Sequence, residues 1–103
     1  MIIKQTEVFE KWFKKLRDET AKAAIARRIR ILEVDNHFGD AHPTSESGIS
    51  EMRVFVGKGY RIYYTQRALE IVILLCGGIK SRGAGKEQTK DIRRAKELLK
   101  TIE

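Results

Sequence analysis

Arg53, Arg61 and Tyr63 are the residues of this 103-residue chain whose types and spacing best support chemistry. They lie in the stretch Gly48–Lys80, GISEMRVFVGKGYRIYYTQRALEIVILLCGGIK, which reads as two alternating strands, a short turn and a continuously apolar third strand. Taking Gly57-Lys58-Gly59 as a three-residue loop pairs Val56 with Tyr60, Val54 with Ile62 and Met52 with Tyr64 on one apolar face. The other face then pairs Phe55 with Arg61, Arg53 with Tyr63, and Glu51 with Thr65. Opposed residues have Cβ atoms ~4.5–5.5 Å apart and diagonal ones ~7–8 Å, so Arg53, Arg61 and Tyr63 are predicted to converge within reach of one phosphate. Arginine's planar fork suits bidentate phosphate contact, and Lys80, at the end of the last strand, can add charge beside it. A one-residue slip would scatter this set and bury arginine, so the pattern itself argues for alternation in this phase.

The rest of the chain must supply the surface that holds these strands. Residues 2–5 read as a short first strand. Thr6 can cap a helix from about Glu7, whose stripe Val8, Phe9, Trp12, Phe13 and Leu16 seeks a core. Asp18 can cap a second helix reaching about Val34, with Ala21, Ala24, Ile25, Ile29 and Leu32 inward and Lys22, Arg27, Arg28 and Arg30 outward. Two amphipathic helices so closely connected form an antiparallel hairpin that covers a sheet. Residues 34–47 read as loop, where Asn36 and Gly39 can end the helix and Pro43 prevents regular pairing. His37 and His42 lie in that loop without the ligand spacing of a metal site, and no metal or cofactor is expected.

Ile71–Cys76 is apolar on both faces, as a strand covered above and below would be, and Cys76 reads as a buried small hydrophobe. Residues 81–86 (SRGAGK) are small and basic and are expected to be mobile. A third helix is expected from Glu87 to about Lys100, with Ile92, Ala95, Leu98, Leu99 and Ile102 on its apolar side. Together these elements predict one α+β domain over residues 1–103. An N-terminal helical hairpin packs on a small antiparallel sheet in the order β-α-α-β-β-β, followed by a C-terminal helix.

Composition narrows the partners. Twenty-one Lys and Arg against fourteen Asp and Glu give a net charge of +7, so a polyanion such as nucleic acid is the expected partner. The charge is concentrated: residues 80–100 hold eight basic and three acidic side chains. One cysteine excludes an intramolecular disulfide and fits a reducing cytoplasm. No apolar run approaches the ~20 residues of a membrane helix, and the N-terminus does not read as a signal peptide.

The order of Phe9-x-x-Trp12, Arg28-Ile29, Glu51-Met52-Arg53, Gly57-x-Gly59-Tyr60-Arg61-Ile62-Tyr63, Leu74-Leu75-Cys76-Gly77-Gly78-x-Lys80 and Gln88-x-x-Asp91-Ile92-x-x-Ala95 resembles the RelE/ParE toxin superfamily. Within it the chain is similar to the HigB-type addiction module killer proteins. The resemblance implies a cytoplasmic toxin neutralised by a cognate antitoxin, commonly of helix-turn-helix type. The implied activity is ribosome-dependent, metal-independent cleavage of mRNA by attack of the 2′-hydroxyl on the adjacent phosphate. That chemistry needs cations around the phosphorane and groups that move protons. Arg53, Arg61 and Lys80 are the implied charge donors and Tyr63 the nearest proton carrier. Lys58, Arg82, Lys86, Gln88, Lys90, Arg93 and Arg94 are the expected contacts to RNA and ribosome. Gln88 and Asp91 have a second reading, as groups that cap the N-terminus of the third helix. Nothing after Tyr64 is Tyr or His, which leaves the general acid unassigned. Arg61→Ala is expected to abolish activity and leave the fold intact. A ParE-like poison of DNA gyrase and a non-catalytic RNA or ribosome binder stay open as alternatives.

Overall fold

The computed structural model describes residues 1–80 and 84–102. Strand β1 (Ile2–Gln5) leads into helix α1 (Glu7–Lys15) and helix α2 (Glu19–Asp35). Four strands follow, β2 (Ala41–Pro43), β3 (Ser50–Val54), β4 (Tyr60–Arg67) and β5 (Ile71–Ile79), and helix α3 (Ala84–Ile102) closes the chain. The caps are those expected from the sequence. Thr6 accepts a hydrogen bond from the Phe9 amide at 3.0 Å, and Asp18 accepts one from the Ala21 amide at 3.1 Å. Asn36 ends α2 in the left-handed conformation at φ 57°.

The sheet has five strands in the order β1-β5-β4-β3-β2. It is mixed rather than antiparallel throughout: β1 runs parallel to β5, with Ile2 opposite Ile71 and Gln5 opposite Leu74. The helical hairpin carries the chain from β1 across the sheet to β2 at the opposite edge, and the antiparallel run β2 to β5 returns it alongside β1 in parallel. Residues 34–47 are not wholly loop. Ala41–Pro43 forms an edge strand on β3, and Pro43 is tolerated because it sits on the outer edge opposite Ser50.

Two cores lie on opposite faces of the sheet. Phe9, Ala21, Ile25 and Leu32 of the hairpin pack on Met52, Val54, Tyr60, Ile62, Tyr64, Val72 and Leu74. On the other face Ile92, Ala95, Leu98, Leu99 and Ile102 of α3 pack on Ile49, Tyr63, Ile73, Leu75 and Cys76. Strand β5 is therefore covered on both sides, as its uniformly apolar sequence requires. A bulge opposite Tyr63/Tyr64 pairs Tyr63 with Cys76 and Tyr64 with Leu74, which leaves Leu75 without an opposed partner.

Gly77 and Gly78 complete the packing by lacking side chains. A Cβ on Gly77 would lie 2.3 Å from the Trp12 ring, and one on Gly78 would lie 2.0 Å from Asp91 Oδ2. The glycines thus let α1 and α3 approach β5 from opposite sides.

Candidate active site

The hairpin register differs from the expected one. Val54 pairs with Tyr60, Arg53 with Arg61, Met52 with Ile62 and Glu51 with Tyr63. The connection therefore spans residues 55–59, and β3 stops at Val54. Inside it the Gly59 amide donates to the Val56 carbonyl at 2.9 Å, with Gly57 and Gly59 at φ 59° and 80°. A hydrogen-bonded turn with glycine at both positive-φ sites draws two more residues out of the strand than a three-residue loop does. Because the shift is even, every side chain keeps its face. Tyr60 and Tyr64 stay in the hairpin core, as expected.

The consequence is that two guanidinium groups stand directly across from each other. Like charges so placed repel, and Glu51 resolves the conflict. Its Oε1 lies 3.1 Å from Arg53 Nη2, and its Oε2 lies 3.3 Å from Arg61 Nε. Gln88 Nε2 approaches the same carboxylate at 3.4 and 3.5 Å from α3. Glu51 is only 2% exposed and Arg61 only 6%, whereas the Arg53 side chain is 33% exposed. Arg61 Nε and Arg53 Nε have no hydrogen-bond partner of good geometry among the described residues, so the network keeps unused donor capacity.

Tyr63 is completely buried beneath α3, and its hydroxyl has no hydrogen-bond partner among the described residues. Burial pushes its pKa well above that of free tyrosine, with the charges of Asp91 and Glu51 adding to the effect and Arg61 opposing it. The phenol is protonated and out of reach of a substrate on the surface. Cys76, beside it, is pushed up to about 12 by burial and by Asp91, and its thiol donates to the Asp91 carbonyl at 3.6 Å. It is an inert core residue rather than a nucleophile.

Helix α3 begins at Ala84, earlier than expected. Residues 84–86 are therefore its first turn and not part of a mobile link. Gln88 and Asp91 are consequently interior residues of α3 facing the sheet, and neither caps it. Lys86, Lys90, Arg93 and Arg94 are all exposed, and their i, i+4, i+7 and i+8 spacing lines them along one side of α3. Lys58 is exposed in the β3–β4 turn. Arg82, the other residue expected to contact RNA, lies outside the described residues. His42 pairs with Asp40, and His37 Nδ1 accepts from the Gly39 amide at 3.1 Å; both are exposed, and His42 stands opposite Glu51 across β2 and β3, with the Arg53 amide donating to the Asp40 carbonyl at 2.9 Å.

Lys80 follows β5. Its amide donates to the Gly59 carbonyl at 2.9 Å, which ties it to the β3–β4 turn. Its ammonium sits 5.3 Å from the centroid of the Phe55 ring.

Three residues take contacts that sequence reasoning did not foresee. Glu51 reads as the end of an alternating strand, and only the Arg53/Arg61 pairing shows why an acid is required there. Arg28, expected to face outward, instead donates from its guanidinium to the Arg53 carbonyl and to the Phe38 carbonyl, each at 2.8 Å. It fixes the backbone of Arg53. Asp91 lies on Gly78, a contact foreshadowed in sequence only by the paired glycines.

A mixed sheet with a helical hairpin on one face and a C-terminal helix on the other, closing over the Glu51-Arg53-Arg61 cluster, places the chain in the RelE toxin fold. It superimposes with a TM-score of 0.57 on a chain of the intact E. coli RelBE toxin–antitoxin complex, at 16% identity, covering 79% of this chain and 98% of that one. It matches a mutant of the E. coli toxin RelE in the free state with the same TM-score of 0.57, at 17% identity over 88% of this chain and 96% of that one. The chain belongs to the family described as Phage derived protein Gp49-like (DUF891), which residues 11–100 match. An uncharacterized protein of Haemophilus influenzae (strain Rd) is 43% identical over 100 residues, 97% of this chain and 94% of its own.

Proposed function

We propose that this protein is a HigB-type toxin of a type II toxin–antitoxin pair, acting as a ribosome-dependent endoribonuclease that cleaves mRNA and halts translation. The observation that carries this reading is the opposed Arg53/Arg61 pair, neutralised only in part by Glu51 and opening at Arg53 onto a surface that also bears Lys58 and Lys80.

In the proposed reaction the 2′-hydroxyl attacks the adjacent phosphorus and the 5′-oxygen leaves, generating a 5′-hydroxyl end. The charge that builds on the phosphorane is met by Arg53, with Lys80 beside it and Arg61 behind, and no metal is needed. Arg61 and Tyr63 keep a place in the site through their neighbours: Arg61 holds Glu51, and Glu51 orients the Arg53 fork. Tyr63, the ladder partner of Glu51, contributes by packing beneath α3 and not as a proton carrier. The exposed cations of α3, Lys86, Lys90, Arg93 and Arg94, with Gln88 at their sheet-facing side, are assigned to the approach of RNA or ribosome. A cytoplasmic location and a helix-turn-helix antitoxin follow from the same reading. Among the described residues no helix is long and apolar enough to cross a membrane.

The test is to map transcript ends in a reconstituted translation system with purified protein, using Arg53→Ala as control. New 5′-hydroxyl ends that need both the ribosome and Arg53 support the assignment. Intact transcripts beside translating ribosomes would sink it, and DNA double-strand breaks without transcript loss would establish a gyrase poison instead.

A further inference from the structure

Phe55, expected inside a strand opposite Arg61, is placed by the observed register in the turn, 63% exposed. Its neighbours in sequence do not share this exposure: Val54 is buried and Val56 packs against the hairpin core. The turn holding Phe55 is pinned rather than loose. The Gly59 amide closes on the Val56 carbonyl, the Lys80 amide closes on the Gly59 carbonyl, and Gly57 abuts the N-cap residue Asp18, where an added Cβ would lie 2.7 Å from the carboxylate. The backbone that carries the ring is thus held in place, and Lys80 sits over one side of the ring at 5.3 Å from the centroid.

A single exposed aromatic residue is unremarkable by itself. What distinguishes Phe55 is its company. Arg53 precedes it by two residues with a third of its side chain exposed, Lys58 is exposed three residues later, and Lys80 lies on the ring. An exposed ring with one cation upon it and two more within three residues along the chain suits a ligand that is both flat and polyanionic. A single-stranded nucleic acid has that character, offering a base to the ring and phosphates to the cations. Ile2 and Leu69, at the β1 and β4–β5 end of the sheet, share their surroundings with Glu70 and Asn36.

We propose that Phe55 is a stacking platform for one base of single-stranded RNA, with Arg53, Lys58 and Lys80 holding the flanking phosphates. The inference rests on the reading of this protein as an RNA-cleaving toxin and adds to it the residue that seats the nucleotide at the site. Stacking tolerates any base, so Phe55 supplies affinity and placement, and sequence preference must come from elsewhere.

The test compares wild type with Phe55→Ala, Phe55→Leu and Phe55→Trp in two assays, transcript cleavage on translating ribosomes and binding of a fluorescein-labelled oligouridylate by anisotropy. Because Phe55 is exposed, each variant should keep the wild-type unfolding midpoint. Loss of one stacked base is worth about 5- to 150-fold, so Ala and Leu should each lower kcat/KM or affinity by that factor, while Trp stays within about threefold. The slope of log affinity against log salt should be unchanged in Phe55→Ala but shallower by about 0.7 in Arg53→Ala, the loss of one phosphate contact.

Ala or Leu variants with wild-type cleavage and binding overturn the platform and leave the nuclease reading intact. Oligonucleotide binding that depends on Phe55, without any transcript cleavage by wild type, supports the platform and removes the nuclease reading. A wild type that neither cuts nor binds overturns both. Retained RNA affinity with lost antitoxin binding in Phe55→Ala also overturns the proposal, since it gives the surface to a protein.

Discussion

Arg53 and Arg61 face each other directly across β3 and β4, and the carboxylate of Glu51 bridges them at 3.1 and 3.3 Å. Their environments differ sharply: Arg61 is buried, and Arg53 reaches solvent. Arg61 is therefore held within a buried ion-pair network, and Arg53 keeps a third of its side chain open to solvent.

This division predicts different outcomes for two similar variants. Arg53→Ala should keep a near-native unfolding midpoint and lower the cleavage rate by about 10²–10³, the usual cost of losing one charge-stabilising donor. Arg61→Ala should lose about 3–5 kcal/mol of stability, because it leaves a buried carboxylate beside one remaining cation. The simple expectation that Arg61→Ala spares the fold is therefore replaced by one in which it does not. Urea unfolding of both proteins, read alongside transcript-end mapping, checks the contrast; equal stability of the two variants would contradict it.

Glu51→Gln keeps the shape of the side chain and removes its charge. Two opposed guanidinium groups would then share a neutral amide, and stability should fall by about 3–5 kcal/mol. Gln88→Ala, which removes only a long contact at 3.4–3.5 Å, should cost about 1 kcal/mol or less. Chemical denaturation of the pair measures the difference.

The two adjacent glycines should respond differently to alanine. In Gly77→Ala the new methyl meets the Trp12 ring, so the loss should appear as a change in tryptophan fluorescence with about 1–3 kcal/mol of destabilisation. In Gly78→Ala it meets the Asp91 carboxylate, so α3 should be pushed from the Glu51 network and cleavage should fall while the Trp12 signal is kept. Fluorescence spectra and activity, recorded on the same two samples, separate the effects.

Alkaline pH should destabilise the protein through its buried acids. The Cys76 thiol has an ordinary value of 9.0 and sits at about 12 when folded, so the unfolded chain releases this proton first. The stability contributed by the neutral thiol is complete below pH 9 and is lost as pH rises toward 12. Tyr63, shifted in the same direction, adds to the loss above pH 10. Across the window from about 9 to 12, Cys76→Ala should flatten the fall in unfolding free energy by about 1.4 kcal/mol per pH unit. Denaturation midpoints measured across that window in both proteins check the slope, and an unchanged slope would contradict the assignment.

Local chemistry in the sequence determined much of this protein. Thr6 and Asp18 announce helix starts because a short side-chain oxygen can satisfy a free amide three residues on, and Asn36 announces a stop because it tolerates a positive φ. Strand alternation assigns Arg53, Arg61 and Tyr63 to one face and Met52, Val54, Tyr60, Ile62 and Tyr64 to the other, since a period of two needs no knowledge of the partner strand.

The tertiary structure decided what that alternation leaves open. A shift of two residues changes no face, so the sequence pattern is blind to the step that sets Arg53 against Arg61 and expels Phe55 into the turn. The parallel pairing of β1 with β5 joins segments about seventy residues apart, and no local signal marks it. Most consequential is the placement of α3 over the polar face. Its apolar side was legible, but only packing could show that it brings Gln88 and Asp91 onto the sheet and seals Tyr63 beneath them. Residue types set which groups could meet a phosphate. Burial by a distant helix decided which of them still can.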